Sequence, residues 1–146
     1  MNEKEIKKHI EINYDYYYAS NRFYYKYAKK YDMSDMALFT LHIIYNSKEC
    51  IQNALSEKLS LPKQTVCSIL DNFENKGYIE RKINPKDKRN RLISLTEKGM
   101  EFAKPILKDL ENLDKKILKI LSDDDIKKYT DCQKDIIKFM ENYFKT

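Results

Sequence analysis

Between Lys76 and Lys98 the chain carries eight basic residues, Lys76, Arg81, Lys82, Lys86, Lys88, Arg89, Arg91 and Lys98, against the acids Glu80, Asp87 and Glu97. The resulting +5 equals the net charge of all 146 residues, so the rest of the chain sums to zero. Charge concentrated on one short element is the footprint of a polyanionic partner, nucleic acid foremost. The competing reading is a merely solvated loop. A second polar cluster, Lys63, Gln64, Thr65, Cys67 and Ser68, follows Pro62. At the start of a helix such side chains can reach the floor and walls of a DNA groove. Gln64 can read adenine bidentately, Lys63 can take a phosphate or guanine, and Thr65 a phosphate.

Other chemistries find little support. The only histidines are His9 and His42, and two glycines cannot build a phosphate cradle. No GxSxG, HExxH or paired-cysteine signature occurs, so the chain is expected not to be an enzyme and to need no cofactor. Cys50, Cys67 and Cys132 lie far apart, forming neither a disulfide framework nor a zinc motif. A metal site from His42, Cys50 and Glu49 is too sparse to expect. No apolar run approaches the ~20 residues of a membrane span, and the charged start leads into no signal-peptide core. A cytoplasmic location and no membrane partner are expected.

The elements that must position the two polar clusters follow from periodicity. A helical pattern runs from about Glu5 to Tyr31, and Ser34 can cap a second helix carrying Leu38, Leu41, Ile44 and Tyr45. Gln52–Leu59 reads as a short helix. A tight connection, Ser60-Leu-Pro-Lys63, leads to another with Val66, Ile69, Leu70 and Phe73 on one face. Gly77 can close it in the left-handed conformation. Two helices joined so closely describe a helix-turn-helix. The period then changes. Tyr78–Ile83 and Leu92–Leu95 read as strands of a hairpin with Asn84–Arg91 as its tip, Ile79 and Ile83 facing Ile93 and Leu95. Thr96 can cap a long helix reaching about Leu121, with Pro105 bending it or absorbed in its first turns. Ser122-Asp-Asp-Asp125 opens a last helix.

The stretch Asn84-Pro-Lys-Asp-Lys-Arg-Asn-Arg-Leu-Ile-Ser-Leu-Thr-Glu-Lys-Gly99 resembles the wing of the multiple antibiotic resistance regulator (MarR) family. Asp87, Arg89, Ile93, Leu95, Thr96 and Gly99 match that pattern in register. Leu55, Leu59, Thr65, Val66, Glu74, Gly77, Ile79 and Arg81 fall where the family's helix-turn-helix has these types. The resemblance implies a mainly α winged helix-turn-helix protein with long N- and C-terminal dimerisation helices and one β-hairpin wing. Residues 1–146 would form a single domain, with dimerisation helices at about 1–31 and 100–146 and the DNA-binding part at about 34–99. It implies a homodimeric transcriptional regulator, in the repressor reading released from a pseudo-palindromic operator by a small aromatic effector. Arg89 would enter the minor groove, with Lys86, Lys88 and Arg91 on phosphates. Asp87 would hold the Arg89 guanidinium, or else cap the hairpin turn. Ser68, Cys67, Ala37 and Leu38 depart from types common in the family, so base and ligand specificity do not carry over.

Two alternatives share the fold. Oxidation of Cys67 would make a redox-sensing regulator, although the first helix lacks the cysteine of the peroxide-sensing branch. A winged-helix module that binds protein is the other, against which the concentrated basic wing argues. The tyrosine-rich segment Asn13–Tyr27 raises a separate question. On a wheel of ~100° per residue it shows two apolar stripes, Ile12, Tyr16, Ala19, Phe23, Tyr27 and Ile10, Tyr14, Tyr17, Tyr24, Ala28, Tyr31. A helix packed on two sides is the plain reading. An effector pocket walled by Tyr14, Tyr17, His42 or Ile43 is the other.

Overall fold

The computed structural model describes residues 1–145. They form α1 (Glu3–Lys29), α2 (Asp35–Asn46), β1 (Cys50–Ile51), α3 (Gln52–Leu59), α4 (Lys63–Asn75), β2 (Ile79–Asn84), β3 (Asp87–Leu95), α5 (Glu97–Leu118) and α6 (Asp123–Tyr143). The chain divides into two compact units, Met1–Ala103 and Lys104–Thr146, with the boundary inside α5. No helix among the described residues is long and apolar enough to cross a membrane.

Local chemistry sets the helix limits. Asn2 and Glu5 form a reciprocal capping box that starts α1 two residues before the periodicity alone predicts. The Ser34 hydroxyl accepts from the Ala37 amide at 3.0 Å and opens α2, as its position suggests. Ser122 does the same for α6 through Asp125, at 3.2 Å. Pro62 is the N-cap of α4 itself, where its missing N–H leaves no donor unsatisfied. Pro105 lies inside α5.

The first unit closes around Leu38, Leu41, Leu55, Val66 and Leu70, all fully buried, which knit α2, α3 and α4 together. Only the end of α1 joins this core. Tyr27 and Ala28 are buried, and Tyr24 meets Phe39 of α2 with ring centroids 5.2 Å apart. In the second unit α6 buries none of its residues.

Three strands, in the order β1-β3-β2, make one antiparallel sheet. The hairpin has two strands by its sequence pattern; β1, pairing Cys50 with Ile93, is a third that two residues without alternation could not announce. Ile79 faces Leu95 as expected, but Ile83 pairs with Arg91 and is 57% exposed. Its partner explains this: the hairpin is already at its charged, solvated end. The turn itself is only Pro85-Lys86, because β3 begins at Asp87, opposite Asn84. Between that pair and Ile83–Arg91 the register jumps, leaving Lys88, Arg89 and Asn90 as a bulge on β3.

Between α3 and α4 the chain turns through Ser60, whose φ of +51° and ψ of +39° are left-handed. A side chain at such a position carries a cost of roughly 1 kcal/mol that glycine escapes. Ser60→Gly is therefore expected to raise stability by about 0.5–1 kcal/mol, visible as a higher urea midpoint at unchanged slope. A lower midpoint would show that the serine side chain stabilises the turn in some other way.

Candidate nucleic-acid interface

The start of α4 exposes Lys63, Gln64 and Thr65 to solvent, and Ser68 one turn later is exposed as well. Val66, Leu70 and Phe73, on the opposite face, are buried and hold the helix by one side. Cys67 differs from its neighbours. It is half-buried, and the Gln52 amide donates to its Sγ at 2.9 Å, so it faces α3. Cys50 is buried, and burial pushes its thiol up to about 11, which keeps it protonated and unreactive at neutral pH. Cys132 is exposed on α6. His42 is exposed, and no cluster of three or more His, Cys, Asp or Glu suited to a metal ion occurs among the described residues.

At the wing tip the side chains of two polar residues shape the backbone. Asn84 is buried, and its Oδ1 accepts from the Lys86 amide at 3.0 Å. Asp87 Oδ1 accepts from the Arg89 amide at 3.0 Å, and Oδ2 from the Asn90 side chain at 2.8 Å. The Asp87 carboxylate thus braces the turn and holds the main chain of Arg89. Lys86, Lys88, Arg89 and Arg91 are all exposed around this braced loop.

Arg81 ties wing to helix, a function its type alone did not reveal. From β2 its guanidinium reaches two carboxylates on α4, Asp71 at 2.6 Å and Glu74, to which both Nε and Nη2 donate. The orientation of the basic hairpin is thereby coupled to that of α4. Hydrogen bonding to Arg81 holds the Glu74 carboxyl below its ordinary value of 4.5. A carboxyl depressed by folding contributes stability that is present above its unfolded pKa and lost as pH falls through the lower folded one. The gap in melting temperature between wild type and Glu74→Gln should accordingly be constant near neutrality and close below about pH 4.5. A gap that persists unchanged at pH 3 would mean the glutamate acts without its charge.

The far end of the wing is fixed to α5. Thr96 Oγ1 donates to the Gly77 carbonyl at 2.6 Å and accepts from the Gly99 amide at 3.0 Å. Gly77 takes the expected left-handed conformation, with φ +74°. The Tyr78 ring stacks on Phe102 at 4.2 Å, and Lys98 Nζ lies 5.5 Å from the Tyr78 centroid.

A cavity of about 250 Å³ opens behind α4, lined by residues of the α1–α2 turn, α4 and the aromatic pair Tyr78 and Phe102. None of Tyr14, Tyr17, His42 and Ile43 lines it. Tyr14 and Tyr17 are exposed on α1, each in ring contact with Tyr18, and Ile43 is half-buried. No local pattern announces this cavity, because its walls come from segments as far apart as Tyr31 and Phe102.

Comparison with known proteins agrees with this architecture. The model of the MarR family matches residues 31–90, from the α1–α2 turn to the wing tip. The HTH-type transcriptional regulator SarZ of Staphylococcus aureus is 34% identical over 83 residues, 57% of this chain and 56% of that protein. SarZ of Staphylococcus haemolyticus is 31% identical over 86 residues, 59% and 58% of the two. The match thus spans just over half the length of these relatives. Among solved structures, a MarR transcriptional regulator from Methanosarcina mazei superposes with TM-score 0.73 at 20% identity, covering 97% of this chain and 100% of that one. Staphylococcus aureus MepR in its DNA-binding conformation gives 0.75 at 17% identity, covering 96% and 99%. The helix-turn-helix, the wing and the order of elements are thus those of the winged helix-turn-helix fold of these MarR structures, and residues 31–90 of this chain are similar to the MarR family.

Proposed function

We propose that the protein is a sequence-specific, double-stranded-DNA-binding transcriptional regulator that acts as a homodimeric repressor. The observation that carries this reading is the wing. Four exposed cations surround a loop braced by Asn84 and Asp87, and Arg81 locks that hairpin to the helix whose exposed start is Lys63-Gln64-Thr65. Cations on a fixed frame suit phosphate and minor-groove contacts, while the polar helix start suits base edges in the major groove. S. aureus MepR, similar in fold, has been solved as a complex with DNA.

Dimerisation is supported by exposed apolar surface on each unit separately. On α1, Ile10, Ile12, Tyr14, Tyr16, Tyr17 and Tyr18 are each more than half exposed. On α6, Ile136, Ile137, Phe139, Met140 and Tyr143 are as well. Apolar faces of that extent are covered in stable proteins, and a second copy would also supply the second recognition helix for a pseudo-palindrome. Such a dimer would bind half-sites about one helical turn apart. A small ligand that prefers a differently arranged dimer would release it.

Selection from a pool of random duplexes, followed by binding measurements across a salt series, tests the function. An enriched inverted repeat and a steep fall in affinity with salt are expected. Failure to enrich any sequence, with salt-independent binding to protein instead, would favour a protein-interaction module. Sedimentation at micromolar concentration checks the dimer. Substituting Gln64→Ala should relax base preference at one position per half-site by about 1–3 kcal/mol.

A further inference from the structure

Four side chains of α4 project away from its core face. On a wheel of ~100° per residue, Gln64, Ser68, Asp71 and Asn75 all lie within about 50° of the direction opposite Val66, Leu70 and Phe73. All four are exposed, and the three core residues are buried. Gln64, Ser68 and Asn75 are neutral hydrogen-bonding groups, which suit base edges. Asp71 is the exception. It puts a carboxylate on the face a DNA groove would meet, where phosphates on both walls disfavour negative charge.

Arg81 offsets that repulsion. Its Nη2 donates to Asp71 Oδ1 at 2.6 Å, and both Nε and Nη2 donate to Glu74 Oε2. Two carboxylates and one guanidinium leave a net charge of −1, half that of the carboxylates alone. The same bond fixes the direction of the Asp71 side chain, which stays 57% exposed. Arg81 takes only Oδ1, and no donor reaches Oδ2 among the described residues. We propose that Asp71 reads a base: oriented and partly neutralised by Arg81, its Oδ2 accepts a hydrogen bond from the exocyclic N4 amine of a cytosine in the major groove. This role rests on the DNA-binding reading and names the residue that sets one base of each half-site.

The base follows from what a carboxylate can do, since in its ionised form it only accepts. Guanine presents the acceptors O6 and N7 in the major groove and thymine O4, and all of these repel it. The N6 amine of adenine stands beside the acceptor N7, whereas cytosine presents its N4 amine with no acceptor on the same base. Seven residues of helix rise about 10 Å, so this cytosine falls about three base pairs from the base that Gln64 meets. The competing role is purely structural, with Asp71 serving only to hold the wing through Arg81. Asp71→Asn separates the two, because it keeps Oδ1 for Arg81 and replaces Oδ2 by an amide donor.

The test uses the full chain and selection from random duplexes. Wild type is expected to enrich a repeat with a cytosine in each half-site, about three base pairs from the position that Gln64→Ala relaxes. Asp71→Asn is isosteric and exposed, so it should melt near wild type. It should lose the cytosine and enrich a base that presents an acceptor there. Replacing that cytosine by 2-pyrimidinone, which lacks only the N4 amine, should weaken wild type about 10-fold per half-site and weaken Asp71→Asn far less. Glu74→Gln, which loosens the wing from a side chain off the groove face, should keep the cytosine. An unchanged base preference in Asp71→Asn, or equal losses for both proteins on 2-pyrimidinone, would overturn the contact and leave Asp71 a partner of Arg81 alone. Loss of the preference in Glu74→Gln as well would overturn it in favour of wing position. Failure of wild type to enrich any repeat is a separate result, and would sink the proposed function together with this contact.

Discussion

Gly99→Ala is expected to cost at least about 3 kcal/mol, enough to leave much of the protein unfolded at 37 °C. A Cβ built on Gly99 would lie 1.8 Å from the Tyr78 carbonyl oxygen and 2.7 Å from its carbon. Neither side has room to yield. The Tyr78 amide donates to the Phe73 carbonyl at 2.8 Å, and its carbonyl accepts from the Thr96 amide at 3.0 Å. Relieving the clash would therefore break the end of α4 or the start of α5. Helix propensity alone predicts the opposite sign, since alanine inside a helix is favoured over glycine by about 1 kcal/mol. Gly77→Ala is the internal control. Its φ of +74° is strained for alanine, but the nearest atom to a Cβ is the flexible Lys98 Cδ at 3.7 Å. A loss of about 1 kcal/mol is expected there. Urea unfolding of the two variants checks the order, and a Gly99→Ala protein as stable as wild type would refute the close approach.

The second large effect concerns binding. Replacing Lys86, Lys88, Arg89 and Arg91 together by alanine removes the exposed cations of the wing tip. If each meets phosphate or groove in the proposed complex, the slope of log affinity against log salt falls by roughly 0.9 per contact, three to four in all for one wing. At ~0.15 M salt that corresponds to a loss on the order of a thousandfold per wing. The melting temperature should barely move, because all four side chains are exposed and neither Asn84 nor Asp87, which shape the loop, is touched. An unchanged salt slope would mean that the wing does not reach DNA. A lowered melting temperature would mean that the cations help to build the loop.

The two effects divide along what could be read from the chain. The basic window from Lys76 to Lys98, the Ser34 cap, the Gly77 terminus and the polar start of α4 are local features, and each emerged where its residues placed it. So did the mainly helical character and the wing. Local reading erred where pairing partners decide. Alternation turned Ile83 inward, whereas the hairpin register sets it opposite Arg91 at a solvated end. A loop of eight residues became a two-residue turn with a bulge, because Asn84 and Asp87 bond to nearby amides.

For the tyrosines, periodicity revealed two stripes on α1, yet most of the helix is exposed and only its last turns enter a core. The stripes record that something is to be covered, and a pattern carries no information about what covers it. The cavity behind α4 and the Arg81 link to Asp71 and Glu74 were invisible for a related reason. Each joins residues distant in sequence, and neither charge nor spacing specifies which distant groups will meet. Gly99 shows both sides at once. Its presence after Leu95-Thr96 marks the wing from sequence alone, while the need for glycine exists only because tertiary packing brings the Tyr78 carbonyl to where a Cβ would stand.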